Sequence, residues 1–313
     1  MRKVFEKYIY DLLGANSKIV FLVSDSDLSE YKKIKNKYPD RFFDFGIAES
    51  NMIAISAGFA KEGYIPLVYA LNSFLAYRAL EFIRDDICLQ KRNVKIIGLA
   101  AGVIANTLGP THHSTEDIAA LRALPNLILV SPGSPKEVSV VLEKSVDYNG
   151  PVYIRLGKAF EREIYESISP FEIGKSTLMS EGEDITIIST GSIIADVIEA
   201  AEMLKKDDIT AEIINMSTIK PIDKESIIKS ALKTKKVITV EEHNVIGGLG
   251  CAVSEVLCKA GVTVIFDIMG FNDTFCNDYG WHQDLKRMYG LSPLHIYEKC
   301  KIIYNDKRDC LHP

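Results

Sequence analysis

The sequence predicts an α/β protein of two domains, each organised around a mainly parallel sheet. Three observations carry this. Apolar runs of strand length alternate with amphipathic runs of helix length along the chain. The strand-length runs are continuously apolar, the pattern of strands buried on both faces. A polar segment, residues 158–171, interrupts the alternation, and the pattern restarts after it. Strands are expected at 18–23, 94–99, 127–130, 151–155, 185–190, 211–215 and 237–240. In 76–90, Leu80, Ile83 and Ile87 recur at helical spacing while Arg84 and Asp85 face away. Residues 192–206 read as a helix opening after Gly191, with Ser192 as its N-cap. The expected domains are 1–157 and 172–313, with 158–171 as the linker.

Composition narrows the function classes. Of the 313 residues, 47% are hydrophobic and 25% charged, which excludes a mostly disordered, collagen-like or coiled-coil chain. The net charge of −5 argues against a nucleic-acid partner. None of the six cysteines forms a Cys-x-x-Cys pair, so no zinc ribbon or thioredoxin-type motif is present, and the cysteines read as reduced thiols. Glu6 and Asp11 interrupt the first apolar stretch, unlike a signal peptide. The longest apolar stretch, 96–105, is about half a membrane span. The expectation is a cytoplasmic protein with no membrane partner.

Seven segments go further than composition. They are RFFDFGIAESNMIAISAGFAKEG (41–63), SFLAYRALEFIRDDI (73–87), GPTHHSTEDIAALRALPNL (109–127), PVYIRLGK (151–158) and, in the second half, DITIISTGSIIADVIEAAEMLK with EEHNVIGGLGCAVSEVL and FNDTFCNDYGWHQDLKRMYGL. In this order they resemble the pyrimidine-binding and C-terminal domains of the transketolase family of thiamine diphosphate enzymes, over nearly the whole chain. The family's Gly-Asp-Gly stretch and later Asn, which hold the metal and the diphosphate, do not occur in these residues. The resemblance therefore implies the C-terminal subunit of a split enzyme. Mg²⁺ (or Ca²⁺) would sit on an N-terminal partner subunit, with no metal ligand on this chain. An α₂β₂ heterotetramer acting on a small sugar is the implied assembly.

The resemblance also assigns residues. Glu49 would bond to ring nitrogen N1′ of the cofactor's aminopyrimidine and exchange a proton with it. An apolar helix following Glu49 would desolvate the carboxyl and favour its protonated form. Phe74 would stack on the pyrimidine. Asp27, after the first strand, and Arg78 are the further cofactor-binding candidates. His112, in Gly-Pro-Thr-His, would face the reacting carbonyl, as both a catalytic and a substrate-binding group. Arg155 and Arg2 match arginines that grip a substrate phosphate.

Three positions depart from the family. Leu108 replaces an Asp that reads a donor hydroxyl, Ala100 replaces a phosphate-binding His, and Tyr31 aligns with a phosphate-binding Ser. Tyr77 stands where the family often has Gly. The activating residues are kept and the sugar-phosphate pocket is eroded. The implied reaction is transfer of a two-carbon ketol or acyl unit to an aldehyde or ketone acceptor, with a non-standard sugar as substrate. The alternatives are the β-subunit of a 2-oxo acid dehydrogenase, a deoxyxylulose-phosphate-synthase-like enzyme, and a non-catalytic scaffold subunit. The turn Gly247–Gly250 imitates a phosphate loop without its full spacing and reads as close packing. His243, beside Glu241 and Glu242, reads as structural or as an interface residue.

Overall fold

The computed structural model describes residues 1–24, 28–157, 161–167 and 171–306. Two sheets organise them. The first contains β1 (Ile19–Val23), β2 (Phe42–Asp44), β3 (Ile65–Leu71), β4 (Lys95–Leu99), β5 (Ile128–Val130) and β6 (Val152–Leu156). The second contains β7 (Thr177–Ser180), β8 (Ile185–Ser189), β9 (Ala211–Asn215), β11 (Lys236–Asn244) and β12 (Ile265–Phe271). One strand crosses between them. β10 (Thr218–Lys220) lies in the second half of the sequence but pairs antiparallel with β5, at the edge of the first sheet. The orders are β10-β5-β6-β4-β3-β1-β2 and β12-β11-β8-β9-β7. The other antiparallel pair is β7 with β9.

The continuous apolar runs are buried on both sides, as expected of parallel strands under helices. In β1, Ile19, Phe21 and Val23 join one cluster and Val20 and Leu22 the other. Helix α1 (Arg2–Ala15) covers the first face through Phe5, Ile9 and Leu13, with α2 (Leu28–Lys37) beside it. On the opposite face lies α3 (Glu49–Lys61), with Met52 and Ile53 packed inward. The expected helix over 76–90 is present but is largely not α-helical. Only α4 (Leu80–Phe82) is, between π-helical stretches Phe74–Arg78 and Ile83–Cys88. Its inward residues are those the spacing selects: Ile83 and Ile87 are fully buried and Leu80 packs against the same cluster. This face is completed by α5 (Asp117–Arg122), while α6 (Pro135–Asp147) lies with α1.

The second sheet is sandwiched in the same way. Helices α7 (Ile194–Lys205), α10 (His282–Met288) and α11 (Pro293–Asn305) cover one face; α8 (Lys224–Thr234) and α9 (Leu249–Lys259) cover the other. Ser192 does not cap α7. A 3₁₀ turn, Gly191–Ile193, intervenes, and no side chain caps the helix. No helix among the described residues is long and apolar enough to cross a membrane.

A buried polar network ties the first sheet to the second domain. Asn72 Nδ2 donates to Ser114 Oγ and to Asp117 Oδ2, each at 2.6 Å, and Tyr153 Oη donates to Asn72 Oδ1 at 2.6 Å. Arg155 Nε donates to Asp117 Oδ2 at 2.7 Å. One terminal nitrogen of Arg155 reaches the backbone carbonyls of Ser114 (3.1 Å) and Glu242 (2.9 Å). The network fits because β4 passes under it without a side chain: a Cβ on Gly98 would collide with the Asn72 amide.

The packing makes two expectations measurable. Arg155→Met would strand the Asp117 carboxylate in the interior and lower the unfolding free energy by about 3–5 kcal/mol, read from urea denaturation. The paired change Arg155→Met with Asp117→Leu would recover much of it. Lys95, at the amino end of β4, is fully buried, its Nζ donating to the carbonyls of Tyr148 (2.6 Å) and Gly150 (2.7 Å). Burial pushes its ammonium down to about 7, from an ordinary 10.5. The unfolded chain therefore binds this proton across a window where the folded chain does not, so stability from this group rises with pH from 7 towards 10.5 and is flat below. Denaturation at pH 7 and pH 9 should show that gain in the wild type and a smaller one in Lys95→Met.

Candidate active site

Glu49 is the first residue of α3 and is completely buried. The strand β1 ends at Val23, and the next residue, Ser24, turns its hydroxyl towards Glu49. It donates to the Gly46 carbonyl at 2.6 Å and reaches Glu49 Oε1 at 3.1 Å. The entry turn depends on Gly46, whose φ of +59° is left-handed. The other carboxylate oxygen, Oε2, accepts from Arg78 Nη1 at 2.7 Å. Ile47 does not contribute to this burial, being 72% exposed.

The π-helical stretch then brings Phe74 and Arg78 together. Residues four apart on a helical turn are surface neighbours, and Phe74 and Arg78 have that spacing. The Arg78 guanidinium lies over the Phe74 ring, 4.6 Å from its centre. The rings of His112 and Phe74 meet edge to face, with centres 5.2 Å apart and planes at 64°. Thr111 Oγ1 is 2.9 Å from His112 Nδ1. Glu49, Phe74, Arg78 and His112, drawn from three separate sequence blocks, thus form one group. Sequence reasoning missed Ser24, for which a lone Ser after a strand gives no signal.

This group fits an aminopyrimidine. A flat cation is already laid on Phe74 with an N–H directed into the Glu49 carboxylate, which is the contact a stacked aminopyrimidine with a protonated ring nitrogen would make. Among the described residues, no group of three or more His, Cys, Asp or Glu is gathered that could hold a metal ion.

The other expected residues fall elsewhere. Asp27 lies outside the described residues. Arg155, expected to grip a phosphate, is instead 4% exposed and bonded to Asp117, Ser114 and Glu242. Those bonds take up most of the planar fork that a phosphate would need. Arg2 starts α1 on the face of the sheet opposite α3 and pairs with Glu6 one turn later, Nε to Oε1 at 2.8 Å. Of the departures, Tyr31 is a core residue, edge-on to Phe21 and Tyr69. Ala100 is buried with a left-handed φ of +65°. Leu108 is half exposed. Tyr77 donates to Glu116 Oε2 at 2.8 Å and accepts from the Glu116 N–H at 3.1 Å.

The glycine-rich turn is not open to a phosphate. Glu241 already occupies the amino end of α9, accepting from Leu249 N at 2.6 Å and Gly250 N at 2.8 Å. His243 is an interface residue. Its Nδ1 is 2.7 Å from the Asn244 carbonyl and its Nε2 accepts from Ala119 N–H at 3.3 Å, across the domain boundary. That pattern assigns a neutral ring protonated on Nδ1. His113 is buried, and burial pushes its pKa down.

Known proteins match the chain over both of its domains. Residues 1–161 match the transketolase pyrimidine-binding domain and residues 174–296 the transketolase C-terminal domain. A protein from Methanocaldococcus jannaschii named as a transketolase C-terminal section is 39% identical over 296 residues, covering 93% of this chain and 92% of that one. One subunit of the apulose-4-phosphate transketolase of Phocaeicola vulgatus is 37% identical over 268 residues, covering 84% and 85%. A solved split-gene transketolase, described as an inactive β4 tetramer, superposes with a TM-score of 0.88 at 37% identity and covers 98% of both chains. With both domains matched in order and relatives of its own length, the chain belongs to the transketolase family, as the C-terminal section of a split transketolase.

Proposed function

We propose that this chain provides the pyrimidine half of a thiamine diphosphate site, completed by an N-terminal subunit that holds the diphosphate and Mg²⁺, in an α₂β₂ enzyme of the cytoplasm. The observation that carries this is the group of Glu49, Phe74, Arg78 and His112, with a guanidinium resting where a flat heterocycle would stack. Two relatives of similar length are named as a section or a subunit of a transketolase, and the solved split-gene homologue is described as inactive in its β4 form. These names support a division of the site between two chains.

In this reading the residues act as follows. Arg78, about half exposed on its side chain, swings towards solvent to free the face of Phe74. Phe74 then orients the pyrimidine and excludes water from it. Glu49, held by Ser24 at one oxygen, turns the other to ring nitrogen N1′ and passes a proton to and from it. Thiamine diphosphate, when bound, would supply a carbon nucleophile for a substrate carbonyl. His112, with Nδ1 held by the Thr111 hydroxyl, presents Nε2–H to the oxygen on which charge develops. The reaction is two-carbon ketol transfer to an aldehyde or ketone. Positions 31, 100 and 108 offer no phosphate or hydroxyl reader at the surface, which favours a non-standard sugar, and one relative is named for apulose 4-phosphate.

Calorimetric titration of thiamine diphosphate with Mg²⁺ tests this, on the chain alone, on its complex with the N-terminal subunit, and on that complex carrying Glu49→Gln. Binding is expected in the complexes only. Glu49→Gln should slow exchange of the cofactor's C2 proton by about 10²–10⁴-fold. Binding by the isolated chain, or unimpaired exchange in the variant, would overturn the assignment. Rapid turnover of xylulose 5-phosphate with ribose 5-phosphate would overturn the non-standard substrate alone.

A further inference from the structure

The loop that carries His112 is closed at its base by a pair of backbone bonds, Gly102 N to Ser114 O (3.0 Å) and Ser114 N to Gly102 O (2.8 Å). Both ends of that base are gripped from the second domain. Glu242, in β11, reaches across with its side chain, and Oε1 accepts from the Val103 N–H at 2.7 Å. The backbone carbonyl of Glu242 accepts from Arg155, whose same nitrogen also holds the Ser114 carbonyl. Two residues on, Asn244 N donates to the Thr115 carbonyl at 2.6 Å.

The grip is stiff. Glu242 is almost fully buried and its Oε1 lies 2.9 Å from His282 Nε2. Burial pushes the carboxyl up, but the His282 ring, Lys286 and the Val103 N–H outweigh it and hold it down to about 2. The carboxylate also fills the space over Gly102, where a Cβ would collide with it and where φ is +67°. At the tip of the loop, Tyr279 packs against Gly109, three residues before His112.

We propose that Glu242, braced by His282, is a positioning residue for His112: the second domain sets the loop, and through it the rate of the chemical step, without touching the substrate. This rests on the role given to His112 above. The geometry makes a specific demand, because a histidine aimed at a developing charge loses its effect when displaced by about 1 Å, with losses up to about a hundredfold.

Two measurements test it. The first is amide hydrogen exchange on the full chain, which needs no substrate. Glu242→Ala should speed exchange in residues 102–115 by about tenfold or more. Glu242→Gln keeps an oxygen acceptor for Val103 and should stay near the wild type. The second is turnover, by the complex with the N-terminal subunit, of hydroxypyruvate, a two-carbon ketol donor without a phosphate that releases carbon dioxide, with glycolaldehyde as the acceptor. Glu242→Ala should lower kcat by about ten- to a hundredfold, with thiamine diphosphate affinity unchanged. In a His112→Ala background the same change should cost nothing further, which a general loss of structure would not reproduce. Unchanged exchange, or an equal loss in both backgrounds, overturns the proposal. If His112→Ala slows turnover while Glu242→Ala does not, the proposal alone fails. If His112→Ala turns over normally, the reading of His112 fails and takes the proposal with it.

Discussion

The ion pair between Arg155 and Asp117 is the constraint around which the rest of the structure is arranged. Two charges taken out of water need each other and further polar partners to be tolerated. Asp117 finds them in Arg155 and Asn72, and Arg155 in Asp117 and two carbonyls. Each partner belongs to a segment that must be held. Asn72 leads directly into Phe74, Ser114 closes the His112 loop, and Glu242 belongs to the other domain. The pair therefore fixes the relative placement of the stacking ring, the histidine and the domain interface, and it uses the arginine that a phosphate-binding site would otherwise employ.

Much of this is legible in the sequence, for a physical reason. Strands buried on both faces are mostly apolar, so Ile19–Val23, apolar throughout, and Ile185–Ser189, apolar but for Thr186 and Ser189, announce themselves locally. The Glu49, Phe74 and His112 blocks are recognisable because they resemble motifs of one family, in the same order. What stays hidden depends on contacts far apart in the chain. Nothing local in Phe74–Cys88 distinguishes an α-helix from the π-helical turns found there. Nothing near Glu242 reveals that its partner is the N–H of Val103. Arg155 shows the same limit: its block identifies an arginine, while its neighbours Asp117, Ser114 and Glu242 are far away in the sequence.

Among the described residues, the second domain contributes none to the group around Glu49, yet it does more than enlarge the subunit. It supplies His243 to the amino end of α5, Glu242 and Asn244 to the base of the His112 loop, and Tyr279 to the loop's tip. A pyrimidine-binding domain on its own would keep Glu49 and Phe74 but would hold His112 loosely.

The lent strand β10 has a consequence for how the chain can be divided. Its pairing with β5 covers what would otherwise be an open sheet edge, and Ser131 N–H is satisfied by the Ser217 carbonyl at 2.7 Å. Cutting the polypeptide in the polar connector would strip that cover and leave a row of unpaired backbone groups beside an apolar strand, the usual template for edge-to-edge association. The two halves are modular as sequence families but not as separable pieces of matter, so a recombinant first domain would need residues 218–220 grafted back onto its edge to remain dispersed.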